Sequence, residues 1–479
     1  MSSATATLLL KGLPGRTQLA LDAQQDAYLN NEQFTGIKNL PAGWHCVSWS
    51  IATTSSDDTP GPSTGAVRNL LLRYFDEGEV VARELDRGQQ RLAVSGSGRS
   101  TRRRVSRTID PSASRVATIV TPDVRGSVEE RLLPYPTTAG DSWRAATRHL
   151  SEHGGHVGRQ VVAKVLGVDS EGDSITDSLA AGPAQAADGK EETVLQQSGN
   201  SGRREHGKVV WGKSRPEAER FEVLADGDET DEGDPAQTSK KRSNPDSTED
   251  ADDEALHFTP FDLRRSWPPH STGSDITRWS QDKSWLLRDV ARRSSTGIIP
   301  PSLEANNEWS ALLCELELTF IIFIAAGNGY AWQQWFDLVA VFCRSSSLMG
   351  AQSAFELHPS TTPTDLTPHI AFMSTLRAQL VLLPIDFWST QEGKEEQTLL
   401  AHLDALRVNI ARSLSAAAST GTTKEEEQRQ ALVQTWRALS HTTATAFGWQ
   451  LDHQLDEEAE VHADLEADEG EGAPVIVDL

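Results

Sequence analysis

The chain has 479 residues, of which 37% are hydrophobic, and carries a formal net charge of −24 with an isoelectric point near 5.0. That length accommodates two or three domains, and the modest apolar content predicts that part of the chain stays outside any core. So acidic a surface repels phosphate backbones, which argues against direct nucleic-acid binding and in favour of basic protein partners.

Residues 1–90 carry strand and turn signals. Leu13-Pro14-Gly15 marks a turn, and Thr17–Asp22 alternates polar and apolar positions. Pro41-Ala42-Gly43 marks a second turn before the strand-like Trp44–Trp49. Asn69–Phe75 and Glu79–Leu85 predict a hairpin around Asp76-Glu77-Gly78. Residues 88–127 are rich in Ser, Arg and Gly, centred on Arg102-Arg103-Arg104, and read as a disordered insertion whose basic run is a solvated loop or a nuclear-localisation signal. Residues 167–255 are dominated by Gly, Ser, Asp and Glu. They cannot bury enough apolar area to offset an ordering cost of roughly 1–2 kcal/mol per residue, and they predict a long disordered linker.

Helical periodicity governs 256–450. Ser274-Asp275 reads as a helix start. Leu312–Ser345 reads as two buried helices broken at Gly327-Asn328-Gly329, the second carrying Trp332, Trp335, Phe336, Val339 and Phe342 near helical spacing. Thr367-Pro368 supplies an N-cap and a first-turn proline for a helix through Ile370, Met373, Leu376, Leu380 and Leu383 that stops at Pro384. Leu399, Leu403, Leu406 and Ile410 mark another helix, and Leu432, Trp436 and Leu439 the last. Each has one buried face, so periodicity predicts a helical bundle. The fold class is therefore α+β and multi-domain, with an N-terminal β-rich domain over 1–166, a linker over 167–255 and an all-α domain over 256–450. An acidic tail over 451–479 ends in a β-prone peptide.

Three cysteines, Cys46, Cys314 and Cys343, lie in apolar surroundings without a CxxC pair, the pattern of buried thiols in a reducing compartment. The N-terminal apolar run is too short for a signal peptide. The longest uninterrupted apolar run, near Leu318–Ala326, is well under the roughly 20 residues of a membrane span. These features predict a soluble protein of the cytoplasm and nucleus with no membrane contact.

Several motifs are similar, in order, to those of the A1-cistron splicing factor family, assembly factors of the U5 snRNP. Gly12–Gly15, Leu19-Ala20-Leu21-Asp22, Phe34-x-Gly36-Ile37-Lys38, Leu40-Pro41-x-Gly43-x-His45 and Leu133-Pro134-Tyr135-Pro136 resemble its N-terminal pattern. The family's Phe-Gly-Ile-Asp is Leu-Ala-Leu-Asp here. Asp282-Lys283-Ser284-Trp285, Cys314-Glu315-Leu316-Glu317, Gly327-Asn328-Gly329-Tyr330, Gln334-Trp335 and Cys343-Arg344-Ser345 resemble the C-terminal pattern. Cys314 replaces its Gly and Glu317 its Gln. The resemblance implies a β-sandwich-like first domain with a short helical part and a superhelical, VHS-like second domain. It also implies a regulatory phosphorylated serine at Ser345, and no enzymatic activity or cofactor.

The final residues, Pro474, Val475, Ile476, Val477 and Leu479, form a β-branched run on an acidic leash, suited to adding a strand to another protein's sheet. About four main-chain hydrogen bonds at roughly 0.5–1.5 kcal/mol each make such a peptide weak alone. Tethering to docked domains raises its effective concentration. The alternatives are a strand docked on the chain's own first domain, and plain disorder. The resemblance implies pairing with the large U5 scaffold protein, between its RNase H-like and Jab/MPN-like domains.

Two further motifs suggest other chemistry. Gly207–Ser214 fits the phosphate-binding loop pattern, but polar residues precede it and Pro216 crosses the required helix start. His149-Leu150-Ser151-Glu152-His153 fits an inverted zincin pattern, so His149, Glu152 and His153 are candidates for a zinc-dependent hydrolase. Gly154-Gly155 ends that helix without an obvious third ligand, which favours a solvated face for both histidines. No metal or cofactor is expected.

Overall fold

The computed structural model describes residues 5–24, 28–31, 33–50, 68–86, 91–94, 129–136, 140–166, 179–180, 256–299, 304–350, 365–388, 393–416 and 423–451. The expected insertion at 88–127 falls largely outside the described residues, as do nearly all of the linker and the acidic tail.

The N-terminal lobe contains two five-stranded sheets. Strands β1 (Ala6–Lys11), β4 (Gly36–Leu40), β7 (Val80–Asp86), β8 (Arg91–Val94) and β9 (Leu132–Pro134) form one, in the order β8-β7-β1-β4-β9. Strands β2 (Gln18–Leu21), β3 (Tyr28–Leu29), β5 (Gly43–Ser50), β6 (Arg68–Phe75) and β10 (Leu179–Ala180) form the other, in the order β10-β6-β5-β2-β3. Leu8, Leu10, Leu21, Ile37, Val47, Trp49, Leu71 and Phe75 meet between them, which makes the lobe a sandwich. The alternate residues of β5 and β6, Trp44, Cys46, Leu70 and Leu72, point to a second core. Both faces of this sheet are covered, so its central strands lack the polar–apolar alternation of a half-exposed sheet.

The expected hairpin does not form. Strand β6 pairs with β5 from Gly43↔Phe75 to Ser50↔Arg68, whereas β7 crosses to the other sheet and runs parallel to β1. The turn between them is a corner. Glu79 donates its N–H to the Asp76 carbonyl at 3.2 Å, and its carboxylate accepts from Arg73 at 2.5 Å and from the Asp76 N–H at 3.1 Å. A local Asp-Glu-Gly signal specifies the reversal, while burial on both faces of β6 decides which strand goes where.

Gly36 shows why its motif needs glycine. It sits at φ 149°, and a Cβ there would lie 2.0 Å from the Leu8 carbonyl oxygen. Any side chain would force β1 and β4 apart.

Three short helices complete this lobe: α1 (Gly140–Ala146), α2 (Arg148–Ser151) and α3 (His156–Leu166). The C-terminal lobe contains α4 (Ser274–Gln281), α5 (Ser284–Ser295), α6 (Glu304–Ala326), α7 (Gly329–Cys343), α8 (Thr367–Leu382), α9 (Lys394–Ala416) and α10 (Thr423–Phe447). Gly327, at φ 71°, ends α6, and the Asn328 side chain caps α7 by accepting the Ala331 N–H at 2.9 Å. The expected stripes of α9 and α10 are buried, from Leu399 to Ile410 and from Leu432 to Leu439. Helix α8 starts slightly differently from expectation. Thr367 lies inside it, and the Asp365 carboxylate accepts the Thr367 N–H at 3.1 Å. The Asp365 carboxylate reaches two residues ahead to the Thr367 N–H as in an Asx turn, whereas Thr367 is followed directly by the proline that opens the first turn.

Helix α6 is apolar on both sides. Leu312, Leu316 and Phe320 enter the core of the helical lobe, while Cys314, Leu318, Ile321, Ile322 and Ala325 enter the core built on Trp44, Leu70, Leu72, Trp143 and Val162. Its 18-residue window Trp309–Ala326 is long and apolar enough to cross a membrane, exceeding the short run read from sequence. That window is 78% buried in protein and contains Glu315 and Glu317, so here it is the shared core helix of two lobes.

Candidate functional site

Motif residues far apart in sequence converge at three buried polar clusters. In the first, Asp22 is fully buried at the end of β2, where Asp22 and Ala23 adopt left-handed backbone at φ 52° and 57°. Its carboxylate meets His45 Nδ1 at 2.7 Å and accepts the Tyr135 hydroxyl at 2.8 Å and the Cys46 N–H at 2.8 Å. His45 Nε2 lies 3.0 Å from the Pro41 carbonyl oxygen. With an acceptor at each ring nitrogen, His45 is suited to the doubly protonated form. Burial opposes that charge, but attraction to Asp22 and the bonds to Asp22 and Pro41 outweigh it and raise the His45 pKa. Asp22, His45 and Tyr135 come from three separate motifs, and together they tie β2, β5 and the segment after β9.

The second cluster joins the lobes. Glu317 of α6 is fully buried and accepts the His149 N–H at 2.9 Å and the Leu150 N–H at 2.8 Å. Burial pushes its pKa up to about 7, against the pull of His149 and of the two N–H groups. Two residues earlier, Glu315 accepts the Thr259 N–H at 2.6 Å, the Thr259 hydroxyl at 2.7 Å and the Ser294 hydroxyl at 3.3 Å. Lys164 of α3 donates to Thr259 Oγ1 at 3.2 Å, and the Gln334 amide donates to the Thr259 carbonyl at 3.0 Å. Glu315 thereby fixes the segment around Thr259 at the start of the described part of the helical lobe, and Glu317 fixes the sandwich lobe. Trp335 donates to Gln379 at 2.8 Å, and Gln379 donates to the Leu316 carbonyl at 3.1 Å, so the Gln334-Trp335 motif bonds to both sides of its helix.

The third cluster surrounds the Asp282-Lys283-Ser284 motif. Asp282 accepts from the Ser284 N–H at 2.9 Å, from the Ser284 hydroxyl at 2.5 Å, and from the Ser347 N–H at 3.3 Å and hydroxyl. Lys283 donates its backbone N–H to Arg344 at 2.9 Å and its ammonium to the Leu263 carbonyl, Ser266 hydroxyl and Ser280 carbonyl at 2.9, 2.7 and 2.6 Å. The motif clamps the turn after α7. Ser345 lies inside that turn, fully buried, and donates its hydroxyl to the Val341 carbonyl at 2.6 Å.

The zincin-like residues do not assemble. Helix α2 ends at Ser151, and His153 adopts left-handed backbone at φ 54°. His149 is buried, against the expectation of a solvated face, with Nδ1 3.3 Å from Glu152, while His153 is exposed. The break in the helix separates the two imidazoles that continuous helical spacing would have placed together. Among the described residues no group of three or more His, Cys, Asp and Glu could hold a metal ion. The cysteines are buried, as expected, and burial raises the thiol pKa of each. Arg102–Arg104, Gly207–Ser214 and the peptide from Pro474 to Leu479 lie outside the described residues. Sequence reasoning missed the roles of Asp22, Glu315, Glu317 and Asp282. For Asp22, Glu315 and Glu317 the one signal was an acid among apolar motif residues, whereas Asp282, in a polar Asp-Lys-Ser run, carried none.

This arrangement defines a class: a β-sandwich lobe and a helical lobe welded through one shared helix. The AAR2 N-terminal domain matches residues 4–167, and the AAR2 C-terminal repeat region matches residues 258–452. The chain belongs to the A1-cistron splicing factor (AAR2) family, a family of splicing assembly factors, and this places it in U5 snRNP assembly.

Proposed function

We propose that this chain is a non-enzymatic assembly factor that holds the large U5 scaffold protein through its RNase H-like and Jab/MPN-like domains and blocks premature docking of the RNA helicase. The family match over both lobes carries this reading. The internal use of Asp22, Asp282, Glu315 and Glu317 supports it, since each carboxylate serves as a structural clamp. The terminal peptide from Pro474 to Leu479 adds a strand to the scaffold, and the protein works in cytoplasm and nucleus without contacting RNA directly.

Release follows phosphorylation at or beside Ser345. Because Ser345 is buried, a kinase reaches it only when the turn after α7 opens. A phosphate there adds about −1.5 to −2 charge at the negative end of α7 and close to Asp282, so the closed turn does not re-form around it.

Pulldown by the scaffold's isolated RNase H-like and Jab/MPN-like domains tests the proposal. Full-length chain should be retained, and a chain ending at Leu451 retained more weakly, because the lobes still dock while the tethered strand is missing. No retention of the full-length chain would defeat it.

A further inference from the structure

Helix α2 is four residues long and loosely held at both ends. Thr147 before it makes no side-chain cap bond and leaves helical backbone at φ −115° and ψ 24°. After it Glu152 is extended, and His153, Gly154 and Gly155 follow with φ of 54°, 69° and 74°. Yet this short turn is where the sandwich lobe grips α6. Leu150 is fully buried, its carbonyl accepts the Trp44 indole N–H at 2.7 Å, and the N–H groups of His149 and Leu150 go to Glu317.

Three ionisable side chains meet at that grip. Glu317 is fully buried, His149 is 6% exposed and Glu152 is half-buried. His149 Nδ1 lies 3.3 Å from Glu152, and its Nε2 is buried without a hydrogen-bond partner among the described residues. Arg148 and exposed His153 act on Glu152 from outside. On α6 itself, Cys314 lies within reach of the Glu317 and Glu152 charges. Lys164 of α3 and Tyr330 of α7 act on Glu315 instead. Helix α5 brings the Ser294 hydroxyl to Glu315, and α8 brings the Gln379 amide to the Leu316 carbonyl, both neutral. The sheet contributes Trp44, Cys46, Leu70 and Leu72, of which only the buried Cys46 thiol titrates.

We propose that α2 is a pH-sensitive latch between the lobes, closed on α6 in mildly acidic solution and lifted increasingly often as pH rises through neutral. In the acidic state His149 is charged, Glu152 ionised and Glu317 protonated, so the trio is neutral as a set. In the alkaline state two carboxylates flank a neutral imidazole in a buried seam, which is costly. Lifting α2 gives water to both carboxylates and to His149 Nε2. Burial raises the Glu317 pKa to about 7, so its hold on the closed latch is full below its ordinary 4.5 and is lost as pH rises through about 7. Burial opposes charge on His149, but the bond to Glu152 and attraction to Glu317 and Glu152 outweigh it and raise the pKa, so His149 adds to the loss above its ordinary 6.5. The bond from His149 lowers the Glu152 pKa, and its opposite effect falls below its ordinary 4.5, outside this window. The latch does not depend on what the protein binds.

Amide exchange in the full chain tests this, read by mass spectrometry on peptides within 146–152 and corrected for the intrinsic pH dependence of exchange. Opening at His149 and Leu150 should rise about tenfold per pH unit, or about 100-fold from pH 5 to pH 7, with less protection than Val47 of β5. In Glu317→Gln the rise should shrink to under about threefold. Glu152→Gln changes a half-buried side chain and serves if the first variant folds poorly. There the rise should level off at a lower pH, because the charge that raises both partners is gone. Equal slopes in the wild-type and Glu317→Gln proteins overturn the proposal, as does an unmoved levelling point in Glu152→Gln. So does exchange at His149 and Leu150 that matches Val47 in both protection and slope, since the whole lobe would then be opening.

Discussion

Glu317 and His149 lie 168 positions apart, yet the carboxylate of one accepts the backbone N–H of the other at 2.9 Å inside the protein. With the matching bond from Leu150, this contact places an ionisable group at the weld between the lobes. Glutamine, the residue of the family pattern, offers one acceptor oxygen where this carboxylate offers two.

Glu317→Ala should destabilise the protein by about 2–5 kcal/mol, because two buried N–H groups lose their partner. Urea denaturation read by tryptophan fluorescence measures it. A loss under 1 kcal/mol would show that the Glu317 bonds contribute little to the weld.

The pH dependence has a definite sign. Glu317 has a folded-state pKa of about 7, above its ordinary 4.5, so the folded protein binds more protons than the unfolded chain between those values. Its contribution is full below the ordinary value and is lost as pH rises through about 7. His45, also raised, acts in the same direction from its ordinary 6.5 upward. Melting temperature should fall between pH 5 and pH 8, and Glu317→Gln should flatten the profile. An unchanged slope in that variant would assign the dependence to other groups.

Asp22→Ala should cost about 3–5 kcal/mol, since it leaves a buried imidazole, a hydroxyl and an N–H without their shared acceptor. Tyr135→Phe removes one bond and should cost about 1 kcal/mol. A calorimetric comparison of the two variants checks the ranking, and equal losses would contradict a hub role for Asp22.

Asp282→Ala should loosen the turn that encloses Ser345. Hydrogen exchange at Ser345–Leu348 should accelerate while the α9 and α10 cores keep their protection. Faster phosphate incorporation at Ser345 by a broad-specificity kinase should accompany it. Unchanged exchange would mean that packing, not Asp282, keeps the turn closed.

A protease site inserted between Asn200 and Ser201 should leave the two fragments co-eluting after cleavage, because the seam joins them through Glu315, Glu317 and the Trp44–Leu318 core. Separation without denaturant would show that covalent continuity holds the lobes together.

Much of this was readable from residues alone. The stripes of α9 and α10 and the Gly327-Asn328 break were legible because local spacing and capping specify them. The corner at Asp76–Gly78 was not, since the same turn residues serve a hairpin or a change of sheet, and only distant burial on β6 separates the two. The clusters were legible as motifs but not as contacts. Nothing in the spacing of Asp22, His45 and Tyr135 says that they meet, and nothing in Cys-Glu-Leu-Glu says that its two acids reach different lobes. His149 misled for a related reason. Its helix was expected to run on to Gly154, but it ends at Ser151, where extended Glu152 and left-handed His153 turn the chain away.

Helix α6 also has a consequence for synthesis. Trp44, Leu70, Leu72 and Val162 leave the ribosome long before the helix that covers them, with about 160 residues to be translated in between. At typical elongation speeds that delay is roughly 8–30 s. Through it, the nascent sandwich presents an oily flank that a chaperone must shield, and truncated transcripts ending before residue 326 should yield insoluble polypeptide.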